Sequence, residues 1–415
     1  MTPRHFPTAF LLSLLVPAAA AQDAAADAKL LASACNRFAA DLHGNLAAAG
    51  RPTAAPGSVA LALLMLVPGA RGDTEQELCT LLHLPAELRG ERLQGAAKKL
   101  LDTVLTATKG KPDALFPQLR IANDLWALPG YAIRSEYTNA LRSAFGAGVR
   151  SAPFASDPNG ARNTINAYIA KATNQRIPEL LAPDTINAQT RVVLTNAIWL
   201  RASWQHPFAD GMTKPQPFTL ADGTAVATPT MQTRESFAYA ETADWQCVVL
   251  PFAHCDLVAE FVLPRAGKPL ATAEQALLEG RATANLAAET VEVRLPRFRV
   301  TGSHRLREAL LALGLRTAFA AGRADFSGIT GKPDLVVDDV VHQTWIQVDE
   351  NGAEAAAATA VIAKTGSAAH PREPRIFAAE RPFAFTLRDR TSGLVLFVAR
   401  VEDPRESPAA AQPSR

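Results

Sequence analysis

"DENGAEAAAATAVIAKTG", residues Asp349–Gly366, decides how this chain folds. Alanine is the best helix former, and the run after Gly352 is rich in it. Yet the segment starts at Asn351-Gly352, and no helical face in it separates apolar from polar residues. At strand period one phase holds Ala353, Ala355, Ala357, Thr359, Val361 and Ala363; the other holds Glu354, Ala356, Ala358, Ala360, Ile362 and Lys364. Both charges fall in one phase, as a strand requires when one face meets a core and the other meets water. No proline occurs from Asn351 to Ala369, so every backbone N–H there can pair. Against this stands the poor strand propensity of alanine. Taken alone, the segment fits an Ala-rich helix or linker as well as a strand.

Its neighbours are strands. Val336–Glu350 is a long β-rich run leading into it, and a hairpin follows, with Phe383, Phe385 and Leu387 alternating on one arm and Leu394, Leu396 and Val398 on the other. Arg191–Leu200 is β-rich, Cys247–Pro251 and Leu257–Leu263 pattern as a hairpin, and Val291–Val300 alternates strictly. Helices are expected over Lys29–Ala48, Ser58–Val67, Ala161–Thr173 and Ser303–Leu313, with a further start capped by Asp73 or Thr74. Helices first and strands later, without a repeating βαβ unit, indicate an α+β fold with mixed or antiparallel sheets.

The chain has 415 residues, 48% apolar and 20% charged, with net charge +2, values of an ordinary globular protein. That balance lacks the concentrated basic surface of a nucleic-acid binder. Arg4, the apolar run Phe10–Val16 and the small residues Ala18–Ala21 have the layout of a secretory leader over residues 1–21, with cleavage near Ala21-Gln22. The apolar run is too short to span a bilayer, and no membrane partner is expected. Cys35, Cys79, Cys247 and Cys255 are too few for a disulfide scaffold; Cys247 and Cys255 face across a hairpin turn or stay free. Neither their spacing nor the scattered histidines forms a metal site, and no cofactor is expected. Ser58 lies in Ala-Pro-Gly-Ser-Val-Ala, which is not a nucleophile elbow. Phosphate-binding, dinucleotide and zinc-protease motifs are absent as well.

"DENGAEAAAATAV" is similar to the reactive-loop hinge of the serpins, in which a Glu and a Gly precede small residues and then the bait bond. Ala55-Pro56-Gly57-Ser58, Gly69–Thr74, Asn196–Trp204 with Pro207-Phe208, Ala324–Ile329 and Arg381–Phe385 also resemble serpin motifs, in the family's order. The chain is therefore identified as resembling a secreted bacterial serpin. Departures are few: Ala55 stands where Ser is usual, Ala353 where Thr is usual, and Leu200 breaks an aromatic pair with Trp199.

The resemblance implies a serpin domain over residues 22–402, of three β-sheets and eight or nine helices, with a reactive loop at about 350–376 and a flexible tail at 403–415. It implies a protease inhibitor without enzymatic activity of its own. A target serine, or cysteine, protease would attack the loop, become trapped as a covalent acyl-enzyme, and be carried off as the hinge inserts into the central sheet. Ten or more new backbone pairs at about 1 kcal/mol net each give on the order of 10 kcal/mol. Such a gain requires a starting fold held by a kinetic barrier. The hinge would comprise Glu350, Gly352, Ala353, Glu354, Ala355, Ala356, Ala357, Ala358 and Thr359. Family spacing puts the bait bond at Gly366-Ser367, with Lys364-Thr365 and Thr365-Gly366 as alternatives and Arg372 and Arg375 too far along. Ser58, Asn196 and His342 match the shutter region, and Trp204 the point where insertion begins. The molecule is expected to be a monomer. The alternative is a non-inhibitory serpin that binds or stores another molecule.

Overall fold

The computed structural model describes residues 18–106, 117–353 and 373–405. Residues 1–17 of the expected leader, most of the hinge (Glu354–Thr359), the bait candidates Lys364–Ser367 and the tail beyond Arg405 lie outside them, while Ala18–Ala21 of the expected leader continue into the first helix.

The first third is largely helical, as its patterning predicts: α1 (Ala18–Ala48), a short strand β1 (Thr53–Ala54), α2 (Pro56–Leu64), α3 (Gly72–Leu81) and α4 (Gly90–Thr106). α2 is buried along its whole length, with Pro56 in its first turn where a missing N–H costs nothing. A Cβ at Gly57 would sit 2.1 Å from the Val395 carbonyl oxygen, so only glycine lets α2 dock this closely. α3 starts earlier than expected, with Arg71 rather than Asp73 or Thr74 at the cap position and no side-chain cap. Thr74 is instead buried and accepts the Asp325 N–H at 3.0 Å.

Then follow β2 (Gln118–Ala127), α5 (Ser135–Phe145), β3 (Val149–Ser151), α6 (Pro158–Ala172) and β4 (Val192–Ser203). The strands β5 (Lys214–Thr219), β6 (Ala225–Glu241), β7 (Trp245–Pro251) and β8 (Leu257–Pro264) lead to α7 (Leu270–Leu278). The strictly alternating run after it is two strands, β9 (Ala287–Pro296) and β10 (Phe298–Arg305), because Pro296 cannot donate to a ladder and the chain turns there. Ser303–Arg305 therefore belong to β10, and the helix expected from Ser303 begins at α8 (Arg307–Ala312). After α9 (Ser327–Thr330) come β11 (Asp339–Asp349), β12 (Gly352–Ala353), β13 (Arg375–Ala378), β14 (Phe383–Asp389) and β15 (Val395–Val401).

Three sheets result. One has six strands in the order β10-β11-β12-β4-β2-β3. The others share the 17-residue β6, which pairs with β5 over Ala225–Thr230, with β9 over Thr230–Tyr239 and with β7 over Ala238–Glu241. One side continues to β13 and the other through β8, β14 and β15 to β1. The main core lies between the six-stranded sheet, α2 and the β14–β15 hairpin, joining Leu61, Ile198, Leu200, Ile346, Phe385 and Phe397. α6 covers the opposite face of the six-stranded sheet, packing Ile165 and Ile169 on Trp126, Val193 and Ala197. All four cysteines are free thiols: Cys247 stands opposite Val262 in the β7–β8 ladder, and Cys255 sits in the turn, so the two do not face each other.

Candidate functional site: the seam of the six-stranded sheet

β4 and β11 run parallel as direct neighbours from Val193 opposite Asp339 to Trp199 opposite Trp345. Beyond these tryptophans they part, and β12 fills the fork. Gly352 and Ala353 pair with Ser203 and Ala202 on one side and with Asp349 and Val348 on the other, antiparallel to both. The chain reverses between β11 and β12 through Glu350-Asn351, where Asp349 Oδ1 accepts the Asn351 N–H at 2.9 Å. Gly352 has φ +147°, and a Cβ there would lie 2.0 Å from the Ala202 carbonyl oxygen, so both conformation and space demand glycine. Ala353 is fully buried in the main core, on the inward face expected for its phase.

Two groups of side chains fasten the fork. Trp204, at the end of β4, donates its indole N–H to the Asp349 carbonyl at 2.9 Å and stacks on Phe252 with ring centroids 4.5 Å apart. Glu350 is buried and receives both Nε and Nη2 of Arg297, the latter at 2.6 Å, and a hydrogen bond from the Thr213 hydroxyl. Burial alone would raise the Glu350 pKa, but the hydrogen bonds from Arg297 and Thr213 outweigh it and hold it below the usual carboxylate value.

A second cluster bridges β4 and β11 lower on the seam, roughly 26 Å from Trp204 at about 3.3 Å per strand residue. Asn196 and His342 are register partners on the inward face, directly above Ser58 of α2. The amide of Asn196 donates to Ser58 Oγ at 2.7 Å, to the Ser58 carbonyl at 3.1 Å and to Asn123 Oδ1 on β2. His342 Nε2 accepts the Ala55 N–H at 2.9 Å, so the ring proton is on Nδ1 and goes to Asn196 Oδ1 at 2.5 Å. Burial, with the neighbouring His304, depresses the His342 pKa to about 3. His304, its partner on β10, stacks on it at 6.0 Å and donates Nε2–H to the Thr53 carbonyl at 2.6 Å. Because Ser58 Oγ bonds an amide and not the imidazole, Ser58 and His342 do not form a nucleophile–base pair. What the cluster can do is hold the two strands together: the bond from His342 Nδ1 to Asn196 Oδ1 crosses the seam directly, and the others tie β4 to α2 and β2 and β11 to Ala55.

Ser58, Asn196 and His342 thus meet, while Trp204, Glu350, Gly352 and Ala353 meet at the other end of the seam. Arg375, at the start of β13, is ion-paired to Glu241 at 3.1 Å. Sequence reading missed Arg297, Asn123 and His304. For Arg297 the signal was Pro296, which breaks the alternating run and leaves a charged residue at the corner between two sheets. Asn123 was legible as a polar residue amid the apolar run of β2, whereas nothing in the sequence around His304 marks its place. Among the described residues no cluster of His, Cys, Asp and Glu could hold a metal ion, and no helix is long and apolar enough to cross a membrane.

A family model described as "Serpin (serine protease inhibitor)" matches residues 33–404. A serpin-like protein of the archaeon Thermococcus kodakarensis is 35% identical over 382 residues, covering 91% of this chain and 87% of that protein. The leukocyte elastase inhibitor of Bos taurus is 34% identical over 388 residues, covering 90% and 99%. The solved structure of Serpin48 from the insect Tenebrio molitor superposes with a TM-score of 0.79 at 28% identity, covering 90% of this chain and 98% of that one.

Proposed function

Because this chain belongs to the serpin family, protease inhibitors and not enzymes, we propose that it is a suicide inhibitor of serine proteases that works by inserting its hinge between β4 and β11. The protease nucleophile adds to the bait carbonyl, the peptide bond breaks, the new amine leaves with the C-terminal fragment, and an ester tethers protease to inhibitor. Insertion of the freed hinge then carries the acylated enzyme away.

The observation that carries this reading is the register of β12. Extended by its own pairing rule, the hinge brings Ala358 opposite Ala197 and Gln343, and Thr359 opposite Asn196 and His342. Both are pairs that already face each other across the seam. The two strands need only part; neither has to slide. Each inward position is then taken by Ala355, Ala357, Thr359 or Val361, small enough to enter a filled core without overpacking it. Ser58, Asn196 and His342 act in this reading as the lock on the lower seam, and Trp204 with Glu350–Arg297 as the clamp at its open end. We assign the bait bond to Gly366-Ser367 and the active form to an exported monomer, following the leader pattern over residues 1–21.

The test is incubation of the protein with elastase-like, trypsin-like and cysteine proteases, followed by a denaturing gel. A complex that survives SDS, with a released fragment beginning at Ser367, is the expected result. Cleavage to a stable core without such a complex would support the non-inhibitory alternative, and a fragment beginning at Arg375 or later would overturn the bond assignment.

A further inference from the structure

Between α1 and α2 the chain crosses from one sheet to another as a short strap, Thr53-Ala54-Ala55. Thr53 and Ala54 pair with Ala399 and Val398 of β15. On the other side the strap runs close over β10, where a Cβ at Gly302 would lie 2.2 Å from the Thr53 carbonyl oxygen. Among the described residues its hydrogen bonds to the six-stranded sheet both end on imidazole nitrogens. His304 of β10 donates Nε2–H to the Thr53 carbonyl at 2.6 Å, and His342 of β11 accepts the Ala55 N–H on Nε2 at 2.9 Å. The two rings stack with centroids 6.0 Å apart, 11° from parallel. One histidine thus gives a hydrogen to the strap and the other takes one from it.

A proton taken up by His304 has one place to go. Nε2 already carries the hydrogen shared with Thr53, so the added proton binds Nδ1, which is buried and has no hydrogen-bond partner. The charged ring would then hold a donor without an acceptor in a buried site. Its surroundings offer no relief. Arg51, just before the strap, repels a second positive charge, and β2, β4 and α2 bring only the neutral Asn123, Asn196 and Ser58. Arg400 of β15 is engaged by Glu274. Burial therefore keeps the His304 pKa below the ordinary imidazole value, although the Thr53 carbonyl pulls the other way. His304 can keep the proton only by swinging toward water, and Thr53 then loses its donor while His342 loses the ring that covers it.

We propose that His304 and His342 form a proton-operated latch on this strap, closed at neutral pH and released in mild acid while the strap stays paired with β15. His304 lets go first, because its Nδ1 takes the proton without displacing a bond. His342 follows, since a proton on its Nε2 opposes the Ala55 N–H, donor against donor. The latch joins two sheets at the point where the chain enters α2, so its state sets how firmly the start of α2 is held beneath the six-stranded sheet. Neither the reactive loop nor inhibition is needed for it.

Hydrogen exchange of the intact protein at pH 7.5 and 5.0, on either side of the ordinary imidazole value, tests the latch once rates are corrected for the intrinsic effect of pH. Each imidazole that titrates normally only when released favours the open strap by about thirtyfold over this interval. Protection of the Ala55 amide is expected to fall by about thirtyfold or more, while the β2–β4 ladder keeps its own. His304→Gln, which retains a donor for Thr53 and cannot titrate, should reduce that fall by a factor of about ten. Should the variant not fold, NMR titration of the histidine rings in wild type decides instead. His304 is expected to take up its proton over the same pH interval in which Ala55 loses protection. Equal Ala55 protection at both pH values, a loss spread evenly over the β2–β4 ladder, an undiminished fall in His304→Gln, or titration of His304 without loss at Ala55 would each overturn the latch.

Discussion

Asn196 and His342 share one proton across the seam, Nδ1–H of His342 reaching Asn196 Oδ1 at 2.5 Å, while Nε2 of the same ring accepts the Ala55 N–H. The ring must be neutral to play both parts. Its folded pKa, about 3, lies below the ordinary 6.5, so the unfolded chain takes up a proton that the folded one refuses. The stability contributed is fully present above pH 6.5 and is lost as pH falls from there toward 3. Depression of the His304 pKa, through burial despite the Thr53 carbonyl, adds to the loss in the same sense. Lowering the pH from 7.5 to 5.5 should cost about 1 kcal/mol through His342. Urea unfolding of intact protein across that range measures it, and His342→Gln, which keeps a donor and an acceptor, should flatten the slope. An unchanged slope in that variant would place the titration elsewhere.

Glu350 leans on Arg297. With Arg297 removed, a buried carboxylate keeps only the Thr213 hydroxyl, and an unpaired buried charge is costly. Half of the Arg297 side chain is open to solvent, which reduces the penalty, so Arg297→Ala should destabilise the intact form by about 1–2 kcal/mol. The Glu350 pKa is depressed, so the pair's contribution holds above the unfolded carboxylate value and fades below it. The difference between wild type and variant in thermal unfolding should therefore shrink as pH drops below about 4. A difference constant with pH would remove the ion pair as its cause.

The two ends of the seam were not equally legible. The strand phase of Ala353 could be read from a local string, because phase and residue size are properties of consecutive residues, whereas the hinge roles of Glu350 and Gly352 came from resemblance. Asn196, His342 and Ser58 came from resemblance, since nothing local says that strands so distant in sequence are neighbours. Arg297 and His304 escaped for a related reason. Each acts through a partner more than thirty positions away, and a strand pattern tells which face a residue takes but not what stands opposite. The helix boundaries misread near Thr74 and Ser303 were lost to tertiary demands: Thr74 is spent on Asp325, and Ser303 pairs with Gln343 in the sheet.

Ala355 is the first inward residue beyond the described hinge, and the β12 register would bring it opposite Leu200 and Ile346, both buried in the main core. Arginine there would bury an unpaired cation in an apolar layer. Ala355→Arg should leave the rate of loop cleavage unchanged and abolish the SDS-stable complex, turning inhibitor into substrate. Retained complex formation would count heavily against insertion by this face.

Gly352→Ala probes the fork itself. Its Cβ would meet the Ala202 carbonyl oxygen at 2.0 Å, and φ +147° is a conformation that alanine rarely takes. Neither obstacle can be relieved by a side-chain rotation, because the opposing atom is backbone on β4. The fork should therefore expel Gly352-Ala353, exposing Ala353 and freeing the pairing groups of Ala202 and Val348. The cost should be about 2 kcal/mol or more in the intact form, as strain plus lost pairing. Hydrogen exchange at Ala202, Ala353 and Val348 should quicken in the variant, while exchange at Asn196 and His342, lower on the seam, stays slow. Equal protection of the fork in variant and wild type would mean that β12 is not held between the two strands, and the register argument for insertion would lose its starting point.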